Sequence, residues 1–172
     1  TDSWGHRLLV KRWYSFLTMQ KKVVQKLNHV VTVSSQSRQD ISKAFDRPEQ
    51  AIELIYNGID TDTFKPQPNT TRRDFQLITT ASADQPLKGL RFLLHALAEL
   101  RPHYPQLKLL VIGKLNPTGE TQQQLKHLTL DDCVTFTSGI STEQIVTHYA
   151  QATIAVSPSL YEGFGLPAGE AM

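Results

Sequence analysis

The chain has 172 residues, 40% of them hydrophobic, with 18 Lys and Arg against 16 Asp and Glu for a formal charge of +2. At roughly 150 residues per domain, this leaves room for one domain and part of another and excludes two complete ones. The charge is too balanced for a nucleic-acid surface, and no basic run is interleaved with aromatics, so nucleic acid is excluded as a partner class. A single cysteine, Cys133, excludes an internal disulfide and a multi-cysteine metal site; in its apolar surroundings an inert core thiol is expected, in a reducing compartment. The longest apolar runs, such as LLVIG at 109–113, fall far short of the roughly 18 residues that span a bilayer, and residues 1–30 carry no secretory pattern. With Thr1 at its start and Met172 just inside a helical motif, the chain is expected to be a piece of a longer protein.

From Arg7 to Leu27 the residues Leu9, Trp13, Phe16, Leu17, Val23, Val24 and Leu27 recur at helical spacing, with Arg7, Lys11, Arg12, Lys21, Lys22 and Lys26 largely between them. This predicts an amphipathic helix with a basic face, read as a solvated face on a packing helix in preference to a membrane-binding one. A β-rich run at 29–35, a polar helix over 36–45, a strand at 52–55 and the Asn57-Gly58 turn follow. Residues 60–73, with Pro66 and Pro68, lack periodicity and read as a linker.

Beyond the linker, strand and helix alternate strictly. Strands are expected at 75–81, 107–113, 133–137 and 153–157, and helices at 88–101, 119–129 and 142–151. Leu90, Leu93, Leu94 and Leu97 follow the i, i+3, i+4, i+7 rule of a buried helix face, and Ser141 with Gln144 makes a capping-box pattern. Near-continuous apolar strands, each followed by a crossover helix, predict an α/β fold: a Rossmann-like parallel sheet with helices on both faces.

Ligands of such sheets bind beyond the carboxyl ends of the strands. Three loops there are informative: SADQPLKG (82–89), GKLNPTGE (113–120) and SPSLYEGFGLPAGEAM (157–172). In the last, Gly163 and Gly165 flank Phe164 just before a helix starting near Leu166 or Pro167, so backbone N–H groups can approach an anion without Cβ obstruction. Glu162 in the loop and Glu170 about one turn into the helix bracket that position, as acceptors for sugar or ribose hydroxyls. Lys88 is expected to open a helix on the neighbouring strand and to place a point charge on a diphosphate.

EGFGLPAGEAM resembles the signature of retaining, nucleotide-sugar-dependent glycosyltransferases of the GT-B fold, family four. Seven residues separate Glu162 from Glu170, as in that signature. PLKG (86–89), LLVIGK (109–114), VTFTSGIS (134–141) and YNGIDTDTFKP (56–66) match in the family's order, so the resemblance covers nearly the whole chain from His29 onward.

The resemblance implies that residues 1–50 are the tail of an N-terminal acceptor-binding domain, 51–73 an interdomain linker and 74–172 a truncated donor-binding domain. It implies a catalytic pair, Glu162 on donor-sugar hydroxyls and Lys88 on the diphosphate leaving group. Gly163, Phe164, Gly165 and Leu166 would line the sugar and diphosphate, Glu170 would hold the ribose, Gly139 and Ile140 would flank the base, and Gly113 and Lys114 would form the crevice wall. The donor would be a nucleotide-diphosphate sugar, uridine favoured with guanosine open. The acceptor would be a glycan, lipid or polysaccharide. Neither a cofactor nor a metal ion is required, because N–H dipoles and a lysine meet the charge that develops on the phosphate. Transfer would retain anomeric configuration. The implied location is cytoplasmic, peripheral at the membrane face through the missing domain, and the piece by itself is expected to be inactive.

One departure concerns charge: the arginine many members carry five residues before the lysine is Ala83 here, beside Asp84. Asp60-Thr61-Asp62 mimics a metal-binding Asp-x-Asp motif but lies in a turn and reads as structural. The histidines His95, His103 and His127 lack zinc-site spacing. A dehydrogenase is disfavoured because no G-x-G-x-x-G follows the first strand of the sheet, and a P-loop nucleotidase by the absent Walker motif. The remaining alternatives are a nucleotide-sugar epimerase, which the glutamate pair around GFG argues against, and a non-catalytic nucleotide-binding or scaffold module.

Overall fold

The computed structural model describes residues 15–172. Contacts divide the chain into two compact units, one ending at Asn57 and one running from Gly58 to Met172. Residues 7–14 of the expected first helix lie outside the described residues.

In the first unit residues 15–24 are helical (α1). Phe16, Leu17, Val23 and Leu27 are each 40–47% exposed, so among the described residues the apolar stripe read as packing surface is only half-covered. The end of α1 is held by Arg47, whose guanidinium donates to the carbonyls of Val24 and Leu27 at 2.9 Å and of Ala51 at 3.0 Å. Val24 ends α1, where the helix dipole favours a cation; Leu27 lies in the turn after it, and Ala51 ends the 3-10 turn Glu49–Ala51. The run 29–35 forms a strand only at Val31–Thr32 (β1), paired in parallel with Glu53–Leu54 (β2). It stops because Ser34 is spent as the N-cap of α2 (Ser35–Phe45), accepting from the Ser37 amide at 3.0 Å.

The second unit is built on four parallel strands: β3 (Gln76–Thr80), β4 (Lys108–Ile112), β5 (Val134–Thr137) and β6 (Ile154–Ala155). Between them run α3 (Leu90–Leu100), α4 (Glu120–His127) and α5 (Thr142–Gln151), and α6 (Leu166–Glu170) follows β6. The spatial order is β5-β4-β3-β6, so the chain steps outward twice and then crosses back to the far side of β3. Alternation along the strands sorts the core by face. Leu77, Leu109 and Val111 pack with Leu90, Leu93, Leu94 and Leu97 of α3 and Leu125 of α4; Ile78 and Ile112 pack with Ala152 and, less deeply, Ile145 and Tyr149 of α5. Both faces are covered, as the apolar strands require. Cys133 is buried, and burial pushes its thiol up.

Most elements are shorter at their ends than expected, and two of these differences bear on the site. The helix expected from residue 88 starts at Leu90: Pro86–Lys88 is a 3-10 turn, and Gly89 at φ 66° breaks it from α3. The strand expected at 153–157 narrows to two residues, because its register with β3 contains only Leu77 with Ile154 and Ile78 with Ala155.

Candidate active site

The strand order reverses between β3 and β6, and the crevice at such a switch point is where an open parallel sheet presents ligand-binding loops. The loops leaving these two strands are joined directly. Leu160 N–H donates to the Leu87 carbonyl at 2.9 Å. Gly89 lies so close to the second loop that an added Cβ would stand 1.9 Å from the Pro158 oxygen. Only glycine satisfies both that contact and its positive φ.

This joint brings Lys88 and Glu162 together, 74 residues apart in sequence, with Nζ donating to Oε1 at 2.8 Å. Lys88 therefore reaches the crevice from the end of a 3-10 turn rather than from the first turn of α3. Ser159 Oγ donates to the same Oε1 at 2.7 Å, a partner the sequence reading passed over. Its signal is the three-residue spacing that lets a serine hydroxyl reach a carboxylate within one loop. The Lys88 ammonium first, and the Ser159 hydroxyl second, hold the Glu162 carboxyl below its usual range. Both charged side chains are about one-third exposed, accessible to a ligand and screened by water.

Glu162 lines a cavity of about 340 Å³ bounded by Thr80, Tyr149, Ser157 and Pro167, within the size range of small-molecule sites. Glu170 lines an adjoining one, of about 320 Å³, with Phe64, Arg72 and Tyr149. Tyr149 borders both, its hydroxyl 2.9 Å from Thr80 Oγ1. Burial first, with a smaller push from Glu170, raises its phenol above the ordinary value, against the Thr80 hydrogen bond.

Gly165 is the N-cap of α6 at φ 87°, Leu166 is the first residue of that helix, and Gly163 and Phe164 are half-buried in the loop before it. The other expected residues lie along the same carboxyl edge, toward β5. Gly113 ends β4 with its amide on the Thr137 carbonyl at 2.7 Å, and Lys114 is exposed beside it. Gly139 turns at φ 68° after β5, and Ile140 packs on the α5 side of the core. Gly139 and Ile140 follow β5, two strand spacings or about 10 Å from β3, whereas Gly113 follows the adjacent strand, where an added Cβ would stand 2.1 Å from the Ala81 oxygen.

Asp60 folds its carboxylate onto its own turn, accepting from the Asp62 and Thr63 amides and from the Thr63 hydroxyl at 2.7 Å. These bonds, Thr63 first, hold its carboxyl low, and the local turn accounts for the Asp-x-Asp sequence. Among the described residues no group of three or more His, Cys, Asp or Glu side chains could hold a metal ion. His95, His103 and His127 are exposed. No described helix is long and apolar enough to cross a membrane.

Residues 61–172 match the family model of glycosyl transferases group 1, and residues 2–63 match that of glycosyltransferase family 4. The chain belongs to the glycosyl transferases group 1 family. It is 41% identical over 98% of its length to an MMP alpha-(1->4)-mannosyltransferase of Mycolicibacterium hassiacum, covering 40% of that protein. It is 32% identical over 89% of its length to a GDP-mannose-dependent alpha-(1-6)-phosphatidylinositol monomannoside mannosyltransferase of Mycolicibacterium smegmatis, covering 43% of that one. The chain thus spans about two-fifths of the length of these curated relatives. Among solved structures it resembles a sucrose-phosphate synthase from Thermosynechococcus elongatus, with a TM-score of 0.78 and 25% identity over 92% of this chain and 41% of that one. It shares the fold of Anabaena HepE in complex with UDP and glucose, with a TM-score of 0.71 and 22% identity over 90% of this chain and 45% of that one. The parallel α/β unit described above is the group 1 fold.

Proposed function

We propose that this chain carries the donor side of a glycosyltransferase that moves a hexosyl group from a nucleoside-diphosphate sugar to a glycan or lipid-linked acceptor with retention of configuration. The observation that carries the reading is the Lys88–Glu162 pair at 2.8 Å across the β3/β6 switch point, inside EGFGLPAGEAM. The relatives named as mannosyltransferases make a mannosyl donor the first to assay. In this reading, residues 1–50 belong to the acceptor-binding domain, 51–73 to the linker and 74–172 to the donor domain.

The chemistry follows from where charge develops. Breaking a sugar–diphosphate bond leaves negative charge on the phosphate, so a fixed cation and backbone N–H groups stabilise the transition state more than the bound donor. Lys88 supplies the cation, and the amides around Gly163, Phe164, Gly165 and Leu166 supply the dipoles. Glu162, held ionised, accepts from donor-sugar hydroxyls, and Glu170 accepts from the ribose. The base lies toward Gly139 and Ile140, past Gly113 and Lys114, so the donor runs along the carboxyl edge from β6 to β5. The acceptor hydroxyl attacks from the face the leaving group departs. The reading uses no metal ion.

The test is a two-dimensional amide NMR titration of the 172-residue chain with uridine, guanosine and adenosine diphosphates, repeated with Lys88→Ala. Selective shifts for one nucleotide at residues 86–89 and 162–170, lost in the variant, are expected. A dispersed spectrum that none of the three nucleotides moves overturns the donor reading.

A further inference from the structure

The β3 loop is anchored at a second point, on the side away from β6. Asp84 sits at φ 59°, the left-handed region that glycine and short polar side chains enter most readily. From there its amide donates to Thr121 Oγ1 at 3.1 Å, and its Oδ1 accepts from the Thr121 amide at 2.8 Å. Thr121 is 6% exposed and is the second residue of α4, whose N-cap position is Gly119, a residue without a side chain to cap with. The Asp84 carboxylate therefore meets an orphan amide of α4 from a loop 37 residues earlier. Gly119 completes the arrangement: its φ of −78° suits any residue, but a Cβ there would stand 2.0 Å from Asp84 Oδ2. What this glycine provides is space for the carboxylate.

We propose that Asp84 is a positioning residue for Lys88, anchoring the loop 82–89 to α4 so that the ammonium is held at the crevice. The loop is then fixed on both sides, by Asp84 to α4 and by the Leu87 carbonyl and Gly89 to the β6 loop. Three residues separate Asp84 from Lys88, including Pro86, whose fixed φ limits how far one end can move independently of the other. The proposal concerns Lys88 as a diphosphate ligand and in that respect rests on the donor reading above.

The test uses the whole chain with Asp84→Ala, Asp84→Asn and Gly119→Ala, the last displacing the carboxylate from the opposite side without touching the loop. Two readouts are taken: the carboxyl titration of Glu162 by side-chain carbon NMR, and the affinity for guanosine and uridine diphosphates. With Asp84→Ala and with Gly119→Ala, Glu162 titrates closer to the ordinary carboxylate range, because Lys88 no longer stands on it. Nucleotide affinity falls about fivefold or more, the scale of one lost charge-assisted hydrogen bond. Asp84→Asn keeps an oxygen acceptor and restores both readouts. An unshifted Glu162 titration in folded variants overturns the proposal, whatever happens to affinity, since loss without that shift is general damage. If Asp84→Ala does not fold, Gly119→Ala decides by the same criterion. If the parent chain binds neither nucleotide, the donor reading fails, while the Glu162 titration still decides whether Asp84 positions Lys88.

Discussion

Replacing Gly89 by alanine tests how the two site loops are held. An ordinary Cβ contact is no closer than about 3.4 Å, and the added atom would stand 1.9 Å from the Pro158 oxygen, so the loops must part by about 1.5 Å. The Leu160–Leu87 hydrogen bond of 2.9 Å would then stretch past any bonding distance. Its loss costs about 1 kcal/mol, crowding and repacking add about 1 kcal/mol, and the left-handed backbone adds about 1 kcal/mol, about 3 kcal/mol together. Gly165→Ala is the matched control: it has a comparable positive φ, 87°, with nothing within 4 Å of the added atom, so only the backbone cost of about 1 kcal/mol remains. Urea unfolding of the two variants should give midpoints about 1 M apart with unchanged slopes. Equal midpoints would refute the claim that a backbone contact between the β3 and β6 loops is what requires glycine at 89.

Two further outcomes concern protonation. Because Lys88 and Ser159 hold the Glu162 carboxyl below its usual range, its contribution to stability is present above the ordinary carboxylate pKa and is lost as pH falls through the lowered value. The stability gap between the parent chain and Glu162→Gln, from urea midpoints between pH 3 and 7, therefore narrows on acidification; a constant gap removes the ion pair. Tyr149 has the opposite sign: burial raises its phenol, so its contribution is complete below the ordinary tyrosine value and declines as pH rises past it, the unfolded chain ionising first. Tyr149→Phe costs about 1 kcal/mol at neutral pH through the lost Thr80 hydrogen bond, and its deficit shrinks above about pH 10; a deficit that grows there refutes the assignment.

The parallel sheet was legible because each element carried its own local signal. The α3 leucines at 90, 93, 94 and 97 are all buried, and the Ser141–Gln144 capping box has both its bonds and starts α5 at Thr142 as read. The pairing of Lys88 with Glu162 was legible only through the order of loops along a parallel sheet, which places them on one edge without giving their distance. Where a residue's role depends on a distant backbone group, local pattern failed. Gly89 reads as part of a helix until Pro158 is beside it, and Asp84 reads as a loop charge until the Thr121 amide arrives. The one trace of the latter was a helix start at Gly119 with no capping side chain of its own, the sign of a cap supplied from elsewhere.

The ladder between β3 and β6 has two register pairs, against five between β3 and β4. A slip of one residue along so short a seam moves β6 by about 3.3 Å and turns its side chains to the other face, enough to separate Lys88 from Glu162 entirely. The loop contacts at Leu87, Gly89 and Pro158 therefore act as a register stop, helping to fix which rung of β6 meets which rung of β3. In this molecule the alignment of Lys88 with Glu162 and the alignment of the strands are one measurement read at two places, and neither can drift while the other is kept.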